Sequence, residues 1–527
     1  MIIPDLLRRA AEKNVGRVAV VVDGVGSMTY TEWEERSNRL ARALVERGVT
    51  PDDRVMFLFS NFDGLDFLIC YQAIHKAGCV AVPVNTRFSE SELRHVIDHC
   101  EPRALLHGDE FETLVASTLG STCNSTEAHS PELLLATEDI RTLASKGDAS
   151  RFQVSRTDDD LADILYTSGT TGTPKGVACT HGNVTHKGSS QLSSMFRNAT
   201  YLHSVPLFTF AGTHAMTLIC LRGGMQHLLL PKFEPGRFLE LLAEHKVNLT
   251  YAVPTMLLRC LDHPRIRQGG FEALSLLMYG TAPMPPWAIQ SLSQHLPSTM
   301  LINLYGLTEG GGTVCSLPPD EALRRPDSIG RPLPPAEVRI VGEDGTDCPA
   351  GVPGEILMKG GVRPRWYYKD QEASREAWTE DGWLRTGDIG SLDADGYLYL
   401  VDRKKDLIIV GGHNVSAPAV ESALMEHDAV LEAAVIGVQH RVMGEVPKAF
   451  VVLRPDKDSP LSDQKQSEAA EDLSESLEAF LRARLADYKV PREYQVLGEL
   501  PRNALGKVLK RELRAFGTHS GTEGAAQ

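Results

Sequence analysis

One stretch leaves this chain little freedom in how it folds: Tyr166-Thr167-Ser168-Gly169-Thr170-Thr171-Gly172-Thr173-Pro174-Lys175-Gly176-Val177. Before it runs Leu161-Ala162-Asp163-Ile164-Leu165, which reads as a buried strand, and after it comes a second apolar patch, Val177-Ala178-Cys179. The stretch is expected to be a loop joining two strands. Gly169, Gly172 and Gly176 let the backbone approach a ligand and turn its amides inward, the hydroxyls of Thr167, Ser168, Thr170 and Thr171 add donors, and Lys175 adds a positive charge. Together these are the parts of a phosphate grip. The spacing from Gly169 through Gly172 to Lys175 departs from the Walker arrangement, and Gly176 stands where that motif needs a Mg-binding Ser or Thr. The plainer alternative is a hydrophilic hairpin loop.

The chain has 527 residues, more than one hydrophobic core usually organises, so at least two domains are expected. A formal net charge of -15 argues against nucleic acid or an anionic membrane as a constitutive partner. Acidic ligands must then be held by local basic loops. The nine cysteines show no paired short spacing, which points to buried thiols in a reducing compartment rather than to disulfides or zinc. Charges interrupt the apolar residues from Met1 to Val22, so neither a signal peptide nor a membrane span is expected there, and the tail carries no peroxisomal address. The expected location is the cytoplasm.

Along the chain, short apolar runs alternate with helical patterns. Asp5 to Lys13 reads as an amphipathic helix, Thr29 as the N-cap of a helix reaching toward Val45, and Val55 to Phe59 as a buried strand. A helix over 61–77, a strand over 78–83 and a helix over 89–99 continue the alternation of an α/β sheet. Residues 110–158 read as surface elements without chemistry. Residues 204–212 read as a strand entering a helix from Thr213 to Leu221. Leu228 to Pro231, Leu249 to Val253 and Leu276 to Tyr279 read as further strands, and Ile302 to Glu309 as a strand ending in a turn, followed by Gly310-Gly311-Gly312. From Ile329 to Leu357 short alternating strands predict a β-rich subdomain. A small α+β module follows the charged run Asp402-Arg403-Lys404-Lys405-Asp406, with Asp456 to Asp472 as an exposed loop.

These motifs, in this order, resemble the adenylate-forming enzymes: acyl- and aryl-CoA synthetases, luciferases and the adenylation domains of peptide synthetases. The resemblance runs through nearly the whole chain. It implies an α/β N-terminal domain over 1–402 with a β-rich subdomain, and a mobile α+β C-terminal domain over 403–527 that rotates about Lys405. It implies ATP, Mg2+ and CoA as ligands and a carboxylic acid, or its acyl-adenylate, as substrate. By resemblance, Thr167 to Gly172 and Lys175 hold the pyrophosphate end of ATP. Thr308 and Glu309 form the Mg site, with Glu309 as the ligand. Tyr305 and Gly306 back the adenine, and Gly280-Thr281-Ala282-Pro283 line its other face. Asp388, in Trp383-Leu384-Arg385-Thr386-Gly387-Asp388, takes the ribose hydroxyls with help from Arg403. Lys507, in Leu500-Pro501-Arg502-Asn503-Ala504-Leu505-Gly506-Lys507, bridges the substrate carboxylate and the α-phosphate, while Gly411 and Gly412, with Asn414, serve the pantetheine tunnel after rotation.

The chemistry explains the parts. A carboxylic acid cannot acylate a thiol at neutral pH, because its leaving group would be oxide or hydroxide, whereas an acyl-adenylate loses AMP readily. The barrier to forming that adenylate is the crowding of negative charge, so a catalyst needs cations. Three positions depart from the family: Thr209 stands where a histidine orients the reacting groups, Ala419 replaces an acidic residue beside the shifted Pro418, and Asn503 replaces a threonine. His214, five positions after Thr209, is not expected to stand in for that histidine. The leading expectation is a CoA ligase for a bulky, mostly apolar acid, since the Gly310-Gly311-Gly312 turn carries no side chains. Alternatives are a protein that makes only the thioester, from an acyl-adenylate supplied by a partner enzyme, a carrier-protein-loading enzyme, and a non-catalytic nucleotide binder.

Overall fold

Helix Gly64–Lys76 is apolar around almost its whole circumference, and such a helix must be covered on all sides. It lies in a core that draws Val20, Val22 and Leu229 from one sheet and Val55, Phe57 and Ala81 from another. The computed structural model describes residues 1–120, 129–168, 173–186, 190–360, 365–403, 406–411, 413–454, 465–503 and 506–517, without the side chains of 168, 190, 191, 414, 465–472 and 517. Packed beside that helix is Tyr30–Glu46, opened by a capping box in which Glu32 N donates to Thr29 Oγ1 at 3.1 Å and Thr29 N to Glu32 Oε2 at 2.8 Å.

The first sheet has seven strands, in the order Trp366–Tyr367, Pro174–Thr180, Leu161–Ser168, Val80–Pro83, Arg54–Leu58, Ala104–His107 and Leu133–Ala136. The last five run parallel, and Pro174–Thr180 returns antiparallel to Leu161–Ser168. Both ends of the phosphate-loop stretch lie in these two paired strands, as its flanks predict, and residues 169–172 between them lie outside the described residues. The second sheet has thirteen strands. Its parallel part places Gln226–Leu229, Thr200–His203, Leu249–Ala252, Leu276–Gly280 and Met300–Leu307 side by side. The β-rich segment then continues the same sheet, through Gly312–Leu317 and Ser328–Pro332, to Leu398–Arg403, Leu384–Leu392, Gly354–Lys359 and Glu337–Val341. A third sheet, of five strands, is built on the long pair Val430–His440 and Gly444–Leu453. It has its own core, including Val420, Leu424, Val435, Val451, Leu477 and Leu481. Among the described residues no helix is long and apolar enough to cross a membrane.

Several elements differ from the sequence expectation. Residues 204–210 are not a strand: the strand ends at His203, and the chain enters a π-helix, Ala211–Thr217, before the α-helix Leu218–Gly223. Thr217 Oγ1 donates to Gly212 O at 2.8 Å, five residues back, which suits the wider winding. The weakly patterned 110–158 region contributes a real edge strand, Leu133–Ala136, paired parallel to Ala104–His107. It reads weakly because an edge strand of four residues buries little. Within 456–472, the helix Lys465–Arg482 begins earlier than an exposed loop allows, because Leu477 and Leu481 pay for a polar first half with core burial.

Candidate active site

Parallel strands present their carboxyl ends to ligands, and here Leu276–Gly280 and Met300–Leu307 run side by side toward a cavity of about 560 Å³. Its walls bring together Thr281, Ala282, Pro283, Tyr305, Gly306, Asp388, Arg403 and Lys507, residues spread over more than two hundred positions of sequence. Gly280 stays in its strand, outside the lining. A side chain there would strike the Leu304 carbonyl at 2.1 Å, and one at Gly306 would strike Gly312 O at 2.0 Å, so both glycines are needed for backbone approach.

Asp388 and Arg403 face each other across adjacent antiparallel strands. Arg403 Nε lies 3.3 Å from Asp388 Oδ1, and the Tyr305 hydroxyl donates to Oδ2 at 2.7 Å. Burial, and then the neighbouring carboxylate, push the Tyr305 phenol well above its ordinary pKa, so it remains a donor. Lys507 sits on a tight loop: its N donates to Asn503 Oδ1 and Asn503 N donates to Lys507 O, both at 2.9 Å. Arg87 holds that loop from the other side, donating to the carbonyls of Arg502 at 3.2 Å and Asn503 at 3.1 Å. Burial, then the like charge of Arg403, lower the Lys507 ammonium to about 8 against the pull of Asp388 and Asp406.

A second group gathers at the phosphate-loop hairpin. Thr167 and Lys175 are cross-strand partners. Thr167 Oγ1 donates to Glu309 Oε1 at 3.5 Å, and Tyr367 Oη donates to the same oxygen at 3.2 Å. Lys175 Nζ lies 3.8 Å from Asp370 and 5.2 Å from the Tyr367 ring centre. A carboxylate flanked by hydroxyls is an all-oxygen set of the kind a hard divalent cation takes. Thr308, next to Glu309, accepts a hydrogen bond on its carbonyl from Arg365 Nη1 at 2.9 Å. Gly169, Thr170, Thr171 and Gly172, and the Ser168 side chain, lie outside the described residues, as do Lys405 and Gly412.

Thr209 is placed differently from a free catalytic group. Its hydroxyl donates to Pro206 O at 2.8 Å and accepts from Gly212 N at 3.0 Å, capping the turn that opens the π-helix. His214 faces inward, with Nε2 3.2 Å from Asp163 Oδ2 in a buried group with His75 and Tyr71, so it does not take over position 209. Gly411 lies in the turn that follows the strand Ile408–Val410 of the C-terminal sheet, where its N donates to Met443 O at 2.8 Å, outside the cavity lining. Gly310 offers no pocket depth, because a side chain there would meet Met358 Sδ at 2.8 Å. Sequence reasoning missed Tyr367, Arg365 and Arg87. Tyr367 sits in a short strand, Trp366–Tyr367, and Arg365 directly precedes it; the pairing of that strand with Ala178 and Val177 is announced by no local pattern.

The family profile of the AMP-binding enzymes matches residues 7–368, and that of the AMP-binding enzyme C-terminal domain matches residues 419–507. This chain belongs to the AMP-binding, adenylate-forming enzymes. Within them it is an ATP-dependent acid–CoA ligase, similar over almost its full length to several such ligases. A feruloyl-CoA synthase of Amycolatopsis sp. is 34% identical over 497 residues, 93% of this chain and 94% of the relative. A 2-succinylbenzoate–CoA ligase of Bacillus mycoides (strain KBAB4) is 32% identical over 515 residues, covering 97% and 98%. The solved structure of o-succinylbenzoate CoA synthetase from Bacillus subtilis in complex with its acyl-adenylate intermediate superposes with a TM-score of 0.81 at 29% identity, covering 98% of each chain.

Proposed function

We infer that this ligase activates a bulky, mostly apolar carboxylic acid with ATP and Mg2+ as its acyl-adenylate, and passes the acyl group to CoA. The observation that carries the reading is the convergence of Lys507 on the cavity that also holds Tyr305, Asp388 and Arg403. The relatives named for ferulate and succinylbenzoate, acids with an aromatic ring, support a bulky substrate.

In this reading Thr281 to Pro283 and Tyr305 flank the adenine, and Asp388, fixed by Tyr305 and Arg403, accepts the ribose hydroxyls. Lys507 neutralises charge where the carboxylate meets the α-phosphate, with the lysine's burial strengthening the attraction. Thr167 and Lys175 hold the pyrophosphate end, and Glu309 is the residue that would hold Mg2+, which neutralises phosphate charge when bound. Residues 1–402 form the fixed domain and 403–527 the mobile one, hinged near Lys405. The present arrangement, with Lys507 in the cavity and Gly411 outside it, is the adenylating one. Rotation would exchange them, because one entrance cannot serve both a lysine loop and a thiol.

The test is ATP–pyrophosphate exchange across a panel of acids, followed by CoA-thioester formation. Exchange is expected with aryl and other bulky acids. Acetate or butyrate as the best substrate would overturn the size assignment, and thioester formation on a carrier protein but not on CoA would overturn the acceptor.

A further inference from the structure

Arg365 is only 2% exposed, and its guanidinium stands 5.1 Å from the centre of the Phe210 ring. Nη1 donates to the Thr308 carbonyl at 2.9 Å, but Nε is buried without a hydrogen-bond partner among the described residues. Among the described residues it forms no ion pair. A buried charge without a counter-charge costs far more than one bond to a neutral carbonyl returns. A neutral amide at 365 could serve Thr308 without that cost, so the charge itself calls for an explanation.

The neighbouring carboxylates are engaged elsewhere. Asp163 meets His75 at 3.4 Å, His214 at 3.2 Å and Tyr71 at 3.4 Å, and Glu309 accepts from Tyr367 and Thr167. The nucleotide cavity is not the explanation either, since neither Arg365 nor Phe210 lines it. Arg365 instead joins the turn that carries Glu309 to the segment of Thr209 and Phe210, where Phe210 Cζ would lie 3.9 Å from a side chain at Gly312. On that wall Thr209 has no hydroxyl proton to spare, having given it to Pro206 O.

From this geometry, and resting on the ligase reading above, we propose that Arg365 is an oxyanion-binding residue of the reaction, receiving the carboxylate of the acid or the pyrophosphate end of ATP. The incoming anion supplies the missing counter-charge and the acceptor for Nε. Because the charge is already buried, its pairing with an anion is strong and short-ranged.

The experiment compares the full chain with Arg365→Gln and Arg365→Lys in ATP–pyrophosphate exchange, varying acid and ATP separately, with melting temperatures measured alongside. Arg365→Gln keeps a donor for Thr308 and removes the charge, so it should melt at or above the parent. Its KM for the ligand that brings the oxyanion should rise roughly ten- to a hundredfold while the other KM stays, and Arg365→Lys should recover most of that loss. A rise for the acid assigns the carboxylate, and a rise for ATP assigns the phosphate. Unchanged KM values in Arg365→Gln would overturn the proposal, as would a lower melting temperature with uniform loss that lysine does not rescue. If the parent exchanges with no acid, the ligase reading is what has failed. Calorimetric binding of pyrophosphate and of benzoate then decides for Arg365: weaker binding of either by Arg365→Gln supports its role, and equal binding of both overturns it.

Discussion

The Tyr305 hydroxyl donates to Asp388 Oδ2 at 2.7 Å, tying the strand Met300–Leu307 to the strand Leu384–Leu392 at the cavity wall. Asp388 is 4% exposed, so this bond and the Arg403 contact fix its orientation before any ribose arrives. Tyr305→Phe should therefore raise the KM for ATP by about tenfold, the scale of one hydrogen bond to a charged group, with a smaller change in kcat. An unchanged KM would show that Arg403 alone orients the carboxylate.

Lys507 is brought to about pKa 8 by burial and by Arg403. The protonated lysine is the useful form, so adenylation should decline as pH rises through about 8. Thioester formation from supplied acyl-adenylate should lack that limb, and Lys507→Ala should abolish the first half-reaction while sparing the second. Equal loss in both, read by stopped-flow or by product chromatography, would contradict a lysine that serves one step.

Glu309 Oε1 already accepts from Thr167 and Tyr367, leaving the carboxylate charge without a described cation beside it. Glu309→Gln is expected to raise the Mg2+ concentration needed for half-maximal exchange at least tenfold, with partial recovery at saturating Mg2+. A Mg2+ titration of exchange rate decides it, and an unshifted midpoint would remove Glu309 from the metal site.

Thr209 is tied to Pro206 and Gly212 rather than to the cavity. Thr209→His should lower the melting temperature, since losing a capping hydroxyl costs about 1 kcal/mol. If the imidazole reaches the reacting groups, it should also raise the rate of pyrophosphate exchange. Faster exchange from a less stable protein is the expected pair of outcomes. Unaltered exchange would mean that the reaction is already fully supported without an imidazole at 209.

Acid should destabilise this fold through His203 and His227, neighbours on adjacent strands of the large sheet, with ring centres 4.8 Å apart and planes inclined at 68°. Burial holds His203 down to about 4 and His227 well below the 6.5 of a free imidazole. Between about pH 6.5 and 4 the unfolded chain takes up protons that the folded chain refuses, so stability falls as pH falls through that window. The shift of His203 alone corresponds to on the order of 3 kcal/mol. Urea midpoints of the parent and of His227→Phe, measured at pH 7 and pH 4.5, should diverge, with the variant losing less. Parallel losses would place the acid sensitivity elsewhere.

Much of this protein is legible in local order. The paired strands on either side of residues 169–172, the turn of Tyr305 to Glu309, the Thr29 cap and the placement of Asp388 one strand before Arg403 all follow from short-range pattern. Apolar periodicity and turn chemistry act over a few residues, and those motifs are contiguous. The tertiary structure decided what no contiguous pattern carries. It set Lys507 beside Asp388 and Arg403, committed the Thr209 hydroxyl to a helix entrance, turned His214 toward Asp163, and brought Tyr367, in a two-residue strand, and Arg365 just before it against the Thr308-Glu309 turn. Each depends on which distant strand lies alongside, and that is settled by the packing of whole sheets rather than by the residues next in line.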